Sequence, residues 1–275
     1  MSANRSRSDT AEDAPIRDPD HRRTLVGVVH LLPLPGNPSR SPGLGAVLAR
    51  AREDAMALTQ GGVDAIIVEN LGDAPFAKDS VSPYTIAAMT RAVEVVQEAA
   101  PGVEIGVNVL RNDALAALAI ASATGADFVR INVHTGVMVT DQGLIEGRAR
   151  ETLLARAAWG SKVRIVADVA VKHAVPLGGM PLAVAARDTF LRGHADVLVV
   201  TGTGTGAPTD AEDVHEVRRA VPQAKVWIGS GLTPERASQY GGAAHGAIVG
   251  TFFHEDATLD KPVDPRRVAA MRSAW

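Results

Sequence analysis

The fold class this sequence predicts is a single-domain α/β protein, a (β/α)8 TIM barrel, and three observations predict it. Short, almost wholly apolar runs occur near residues 25–32, 63–70, 104–110, 127–134, 163–170, 196–202, 225–231 and 246–251. Each is followed by polar or glycine-rich residues and then by a helical stretch, and eight such units in about 250 residues match the count and size of this barrel. Nearly every run also ends in a polar residue, which is where barrel strands pass into the loops that carry chemistry. A doubly wound open sheet would show the same apolar runs, but the unit count and the polar strand ends favour the barrel. On this reading the strands are parallel around one core, and no antiparallel sheet is expected.

The elements follow in order. The first strand runs into His30 and Pro33, and the loop over residues 33–45 holds four prolines and three glycines. Gly61-Gly62 ends the first helix. Ala65-Ile66-Ile67-Val68 is a continuous apolar run, as expected of a strand covered on both faces, and it ends at Glu69 and Asn70. Ser82 and Pro83 predict the start of a second helix over residues 83–99, a serine cap followed by a proline whose missing N–H would be unpaired there anyway. Ile86, Met89, Val93 and Val96 share its inner face, and Pro101-Gly102 stops it. Asn108 ends the third strand. Asn112 is placed to cap the third helix, with Leu115, Leu118 and Ala119 towards the sheet and Gly125 beyond its end.

Arg130 and Asn132 share one face of the fourth strand, with His134 just past it. A long loop over residues 134–147 follows, which reads as either a lid or a rigid excursion. The fifth strand carries Asp168, and Ala170 and Lys172 share its face if the strand stays extended through Lys172. Val197-Leu198-Val199-Val200 forms the sixth. Thr233-Pro234 and Asp264-Pro265 start the last two helices.

The bulk properties exclude several classes. A net charge of −3 and a pI near 6.2 give no electrostatic case for a nucleic-acid partner. No apolar run reaches the roughly 18 residues of a membrane span. The chain has no cysteine, so disulfides, thiolate metal sites and thiol nucleophiles are excluded, in keeping with an expected cytoplasmic location. Residues 1–23 are polar and read as a disordered extension before a barrel over 24–275. Arg22-Arg23 leads into a run too short for a twin-arginine signal and suited to the first strand.

The strand ends supply the candidate chemistry. Barrels often hold a phosphate on backbone N–H groups between the last two βα loops. Here those loops are Gly229-Ser230-Gly231 and Gly250-Thr251, where glycine permits close approach and the two hydroxyls can donate. Thr201-Gly202-Thr203-Gly204-Thr205-Gly206 reads as a ligand-facing loop. It is not a dinucleotide fingerprint, because Pro208 follows at once. Asp168 and Lys172 form a candidate acid/base pair, and Lys172, one of five lysines, is a candidate Schiff-base amine. Arg130 inside an apolar strand needs an anion, and Glu69 is the expected partner. His30, Glu69, His134, Asp168 and His173 offer ligands for a divalent ion, but no local His-x-x-x-His motif supports one. No resident metal or cofactor is expected.

These blocks resemble the BtpA/SgcQ family. The match runs through Gly27 to Pro38 (GVVHLLPLPGNP), Asp64 to Phe76 (DAIIVENLGDAPF) and Asn108 to Asp113 (NVLRND). It continues through Asp127 to Gly136 (DFVRINVHTG), Asp141 to Gly147 (DQGLIEG), Ala167 to Leu177 (ADVAVKHAVPL), the Gly-Thr loop and GSGLTPE. The resemblance implies a phosphate-binding TIM barrel. One branch of that family is named for photosystem I biogenesis, and another sits among sugar-metabolism proteins.

The leading expectation is an enzyme acting on a phosphorylated sugar or nucleotide-like molecule, as an isomerase, a lyase or a glycosyl-bond-cleaving enzyme. It would have Asp168, Lys172, Glu69 and His30 as catalytic residues. Asn108, Arg130, Asn132, His134, His173, Gly202, Gly204, Gly229, Ser230, Gly231, Gly250 and Thr251 would bind substrate. The expected partners are that small molecule and further copies of the chain in a homo-oligomer. The alternative is a non-catalytic assembly factor, which would have no need of so many polar side chains in one barrel mouth.

Overall fold

The computed structural model describes residues 22–170, 174–202, 204 and 207–275. Residues 1–21 of the expected extension, Lys172 and His173, and Thr203, Thr205 and Gly206 of the Gly-Thr loop lie outside the described residues. The last two residues of the extension are tied to the barrel. Arg22 pairs with Asp64 at 3.1 Å, and Arg23 lies over the Trp275 ring at 4.0 Å and donates to the Trp275 carbonyl.

The first half comprises β1 (Thr24–His30), α1 (Leu44–Gly61), β2 (Ala65–Glu69), α2 (Pro83–Ala99), β3 (Glu104–Asn108), α3 (Ala114–Thr124) and β4 (Phe128–Ile131). A hairpin of β5 (Val137–Thr140) and β6 (Gly143–Glu146) precedes α4 (Ala149–Ala158). Then come β7 (Arg164–Ala170), β8 (Ala174–Pro176), α5 (Leu182–Arg187), β9 (Val197–Val200), α6 (Ala211–Ala220), β10 (Lys225–Ile228), β11 (Gly246–Val249) and α7 (Pro265–Ala274). Eight strands close a parallel barrel in the order β1-β11-β10-β9-β7-β4-β3-β2. The seventh unit, between β10 and β11, carries a 3₁₀ helix over Pro234–Tyr240 instead of an α-helix.

Two expectations about these elements need correction. An antiparallel sheet does exist, outside the barrel. β6, β5 and β8 form a three-stranded sheet built from the excursions after β4 and β7, so the loop over residues 134–147 is ordered structure. And α3 is capped by Asp113, whose carboxylate accepts from the Ala116 N–H, not by Asn112. Asn112 instead bonds both backbone groups of Val133. The buried residues of α3 are Ala114, Ala116, Ala117, Leu118, Ile120 and Ala121, while Leu115 and Ala119, expected towards the sheet, are only partly buried. The second helix spans Pro83–Ala99 with Ser82 accepting from the Thr85 N–H, and α1 ends on Gly62 in the left-handed conformation.

Alternation along the strands makes two cores. One face packs under the helices. The other fills the barrel with residues such as Val26, Ile67, Phe128, Val199, Trp227 and Ile248. Phe128 and Trp227 meet edge to face at 6.0 Å, and Gly106 leaves the space, since a Cβ there would lie 2.2 Å from the Phe128 ring. Continuing the inward alternation by one step reaches the ends of the strands: His30, Glu69, Asn108, Arg130, Asp168, Thr201, Gly229 and Gly250. The apolar filling thus stops one layer short of the mouth, and the inward positions become polar or glycine. Among the described residues no helix is long and apolar enough to cross a membrane.

Candidate active site

Arg130 organises the mouth. It is 3% exposed, and its Nε and Nη2 donate to the two carboxylate oxygens of Asp168 at 3.0 and 2.9 Å. Such a two-pronged pair is the strong form of the interaction. Asn132 donates a third bond to Asp168 at 3.1 Å. Glu69, the partner expected from sequence, stands farther off at 4.0 Å from Nη1. The reason is strand order: β7 adjoins β4 directly, whereas β2 lies two strands away. Burial works against the guanidinium charge, but Asp168 and then Glu69 outweigh it and hold Arg130 above its ordinary pKa. With three donors on its oxygens, Asp168 serves to hold and neutralise Arg130. The ladder between β7 and β9 is irregular here, Asp168 facing Val199 and Ala170 facing Val200, so the plain alternation assumed for the end of this strand is interrupted.

His30 ends β1 opposite Glu69 on β2, with Nε2 at 4.0 Å from the carboxylate. Its Nδ1 is 3.1 Å from Nε2 of His254, a fully buried residue in the loop after β11. A Cβ on Gly250 would lie 2.7 Å from His30 Cε1, so glycine at this position lets the loop close against the imidazole.

One cavity joins these groups. Its volume is about 150 Å³, or about 700 Å³ with its open mouth, and His30, Glu69 and Arg130 line it together with Gly229–Thr233 and Val249–Phe252. The backbone N–H groups of Gly231, Gly250 and Thr251 have no acceptor among the described residues. The Ser230 hydroxyl, expected as a ligand donor, is otherwise engaged. It accepts from the Gly202 N–H and donates to the Ala207 carbonyl, tying the Gly-Thr loop to the loop after β10. Gly202 packs against the far end of its own loop, with a Cβ position only 2.4 Å from the Ala207 oxygen, and the Gly204 carbonyl accepts from the Ala207 N–H. Neither glycine lines the cavity.

Asn108 and Asn132 lie behind the cavity. Asn108 donates to the Arg130 carbonyl and to Asn132, and its own Oδ1 is buried without a donor among the described residues. His134 is outside this group. It is 1% exposed, bonded through Nε2 to the Gly193 carbonyl, and burial pushes its pKa down.

Sequence reading missed three further participants, His254, Arg111 and Asp73, and noted Asn70 only as a strand end. His254 is reached only by noting that a closed barrel sets the loop after the last strand beside His30. Arg111 is 5% exposed, and burial lowers its pKa against the opposing pull of Asp141, Asp168 and Glu69. Asn70 and Asp73 lace the first three βα loops together. Asn70 accepts from the Leu110 N–H and donates to Asp73, which in turn accepts from the Leu34 N–H.

The sequence profile of the BtpA family matches residues 21–274. The chain belongs to the BtpA family. It is 48% identical over 252 residues to the photosystem I biogenesis protein BtpA of Synechocystis, covering 91% of this chain and 87% of that one. To the putative sgc region protein SgcQ of Escherichia coli it is 32% identical over 250 residues, covering 90% and 92%. Among solved structures it resembles a thiamine phosphate pyrophosphorylase from Pyrococcus furiosus, with a TM-score of 0.56, 12% identity and coverage of 92% and 96%. It also resembles KGPDC from Streptococcus mutans in complex with D-R5P, with a TM-score of 0.57, 13% identity and coverage of 92% and 97%. At these identities the likeness to the BtpA-family chain is one of fold.

Proposed function

We propose that this BtpA-family barrel is an enzyme that moves a proton on a small phosphorylated, sugar-like substrate. The observation that carries the reading is the single cavity in which glycine-rich loops and the cluster of His30, Glu69 and Arg130 face one another. The phosphate lies on the free N–H groups of Gly231, Gly250 and Thr251, with the Thr251 hydroxyl beside them. The reacting carbon then falls at His30 and Glu69. One of these takes or returns the proton, and Arg130, its charge secured by Asp168, stabilises negative charge as it develops. Isomerisation, lyase cleavage and glycosyl-bond cleavage all use this arrangement. Barrels of the same fold, a thiamine phosphate pyrophosphorylase and KGPDC in complex with D-R5P, support a phosphorylated substrate. Asp168 is assigned to positioning, and Lys172 remains a candidate acid/base or Schiff-base group. The assembly is proposed to be a homo-oligomer.

The test is a thermal-shift screen of sugar phosphates and nucleotides, followed by turnover assays on each molecule that stabilises the protein. Glu69→Gln and His30→Gln should keep binding and lose most turnover. If no phosphorylated compound stabilises the protein, the reading fails.

A second reading, an assembly factor, is favoured by the name of the Synechocystis relative and by one surface. Leu144, Val139 and Val175 pair across the small antiparallel sheet and remain 44%, 42% and 66% exposed. On that reading Val139→Glu would abolish biological function while Glu69→Gln would not.

A further inference from the structure

We infer that His254 is a positioning residue that holds His30 in the tautomer protonated on Nδ1, leaving Nε2 as an acceptor directed at Glu69 and the cavity. The inference rests on the proposed role of His30 and extends the machinery to a residue with no place in the cavity lining.

The argument runs along a chain of hydrogen bonds. His254 Nδ1 lies 2.6 Å from the Lys261 carbonyl, which can only accept, so Nδ1 carries a proton. His254 is fully buried, and burial pushes its pKa below the usual histidine value despite the Lys261 bond and nearby Asp54 and Asp260, with Arg50 adding to the depression. Above the ordinary histidine pKa the ring is neutral, and with its one proton on Nδ1 its Nε2 is a bare acceptor. His30 Nδ1, at 3.1 Å, must donate to it. In a neutral His30 the proton is thus on Nδ1 and the lone pair on Nε2. That lone pair faces the Glu69 carboxylate, another acceptor, across 4.0 Å, too long for a direct hydrogen bond. Arg130 stands behind Glu69 at the same distance of 4.0 Å.

Packing supports a dedicated role for His254. The Lys261 carbonyl belongs to a loop pinned from two sides: Arg50 donates to it, and the Val263 N–H bonds to buried Asp54. Arg50 and Asp54 are themselves paired at 2.8 Å along α1. The acceptor that orients His254 is therefore fixed by α1.

The test is the nitrogen spectrum of histidine-labelled, ligand-free protein, recorded above the ordinary histidine pKa. The His30 signals are identified by their loss in His30→Gln. The native protein should show a protonated Nδ1 and an unprotonated Nε2 at His30. In His254→Gln the amide oxygen can still accept, and the pattern should persist. In His254→Leu the Nε2-protonated form should become the major one. A native His30 protonated on Nε2 would overturn the inference, as would an unchanged tautomer in folded His254→Leu. If that variant does not fold, the native and His254→Gln spectra decide between the two tautomers. Because no ligand is added, a misplaced phosphate site would leave this result untouched.

Discussion

Arg130 and Asp168 form a buried pair in which each member needs the other. Removing one side of such a pair costs about 3–5 kcal/mol, because the remaining charge is left without compensation. Arg130→Met should therefore lower the free energy of urea unfolding by about that amount. Two buried histidines give a second prediction. Burial depresses the pKa of both His134 and His254 below 6.5, so below that pH the unfolded chain binds protons that the native state refuses. Stability is complete above about pH 6.5 and falls as the pH drops towards the depressed native values, by up to about 1.4 kcal/mol per pH unit for each ring. Asp73, raised by burial, acts in the opposite sense, and only between its raised value and its ordinary 3.8. Urea midpoints measured from pH 7.5 down to 5.5 should show the decline, and His134→Gln should make it shallower. Lys172 has its own test. Lys172→Met should lose turnover and keep substrate binding if the lysine transfers protons. Trapping by borohydride with a carbonyl substrate would mark a Schiff base, and full activity would remove both roles.

The loops after β10 and β11 decide whether the cavity can take an anion. In Gly250→Val the added carbons meet the His30 ring, and in Gly229→Val they meet Thr201, to which a Cβ alone would approach within 2.4 Å. Both variants should weaken phosphorylated ligands more than tenfold, measured by calorimetry, with the circular dichroism of the barrel retained. At this scale the sequence was legible wherever a signal was local. Ser82-Pro83 and Gly61-Gly62 mark ends that the structure keeps. Asn112 and Asp113 were not separable, because the choice of cap depends on Val133, a residue in the loop just past the next strand that claims the Asn112 amide. The hairpin of β5 and β6 had a local sign, Asp141-Gln142-Gly143 between apolar residues, with Gly143 at φ 93. Its third strand, β8, comes from beyond β7, and no local pattern announces that pairing.

The whole barrel was readable because eight repeated units leave few alternatives, and the fold then pointed to the strand ends. His30, Glu69, Arg130 and the two glycine loops were read as candidates in this way, and in the structure they line one cavity. What escaped was set by closure and neighbour order. His254 meets His30 only because β11 pairs with β1, and Asp168 takes Arg130 from Glu69 because β7 is the adjacent strand. The central claim is that this cavity recognises a phosphorylated small molecule through the backbone beside His30. Its most direct test is a calorimetric titration of the native protein and of Gly250→Val with a sugar phosphate taken from the stabilising compounds and with the same sugar lacking phosphate. The account predicts binding of the phosphorylated form alone, weakened more than tenfold in the folded variant. Equal binding of both sugars, or undiminished affinity in folded Gly250→Val, would contradict it.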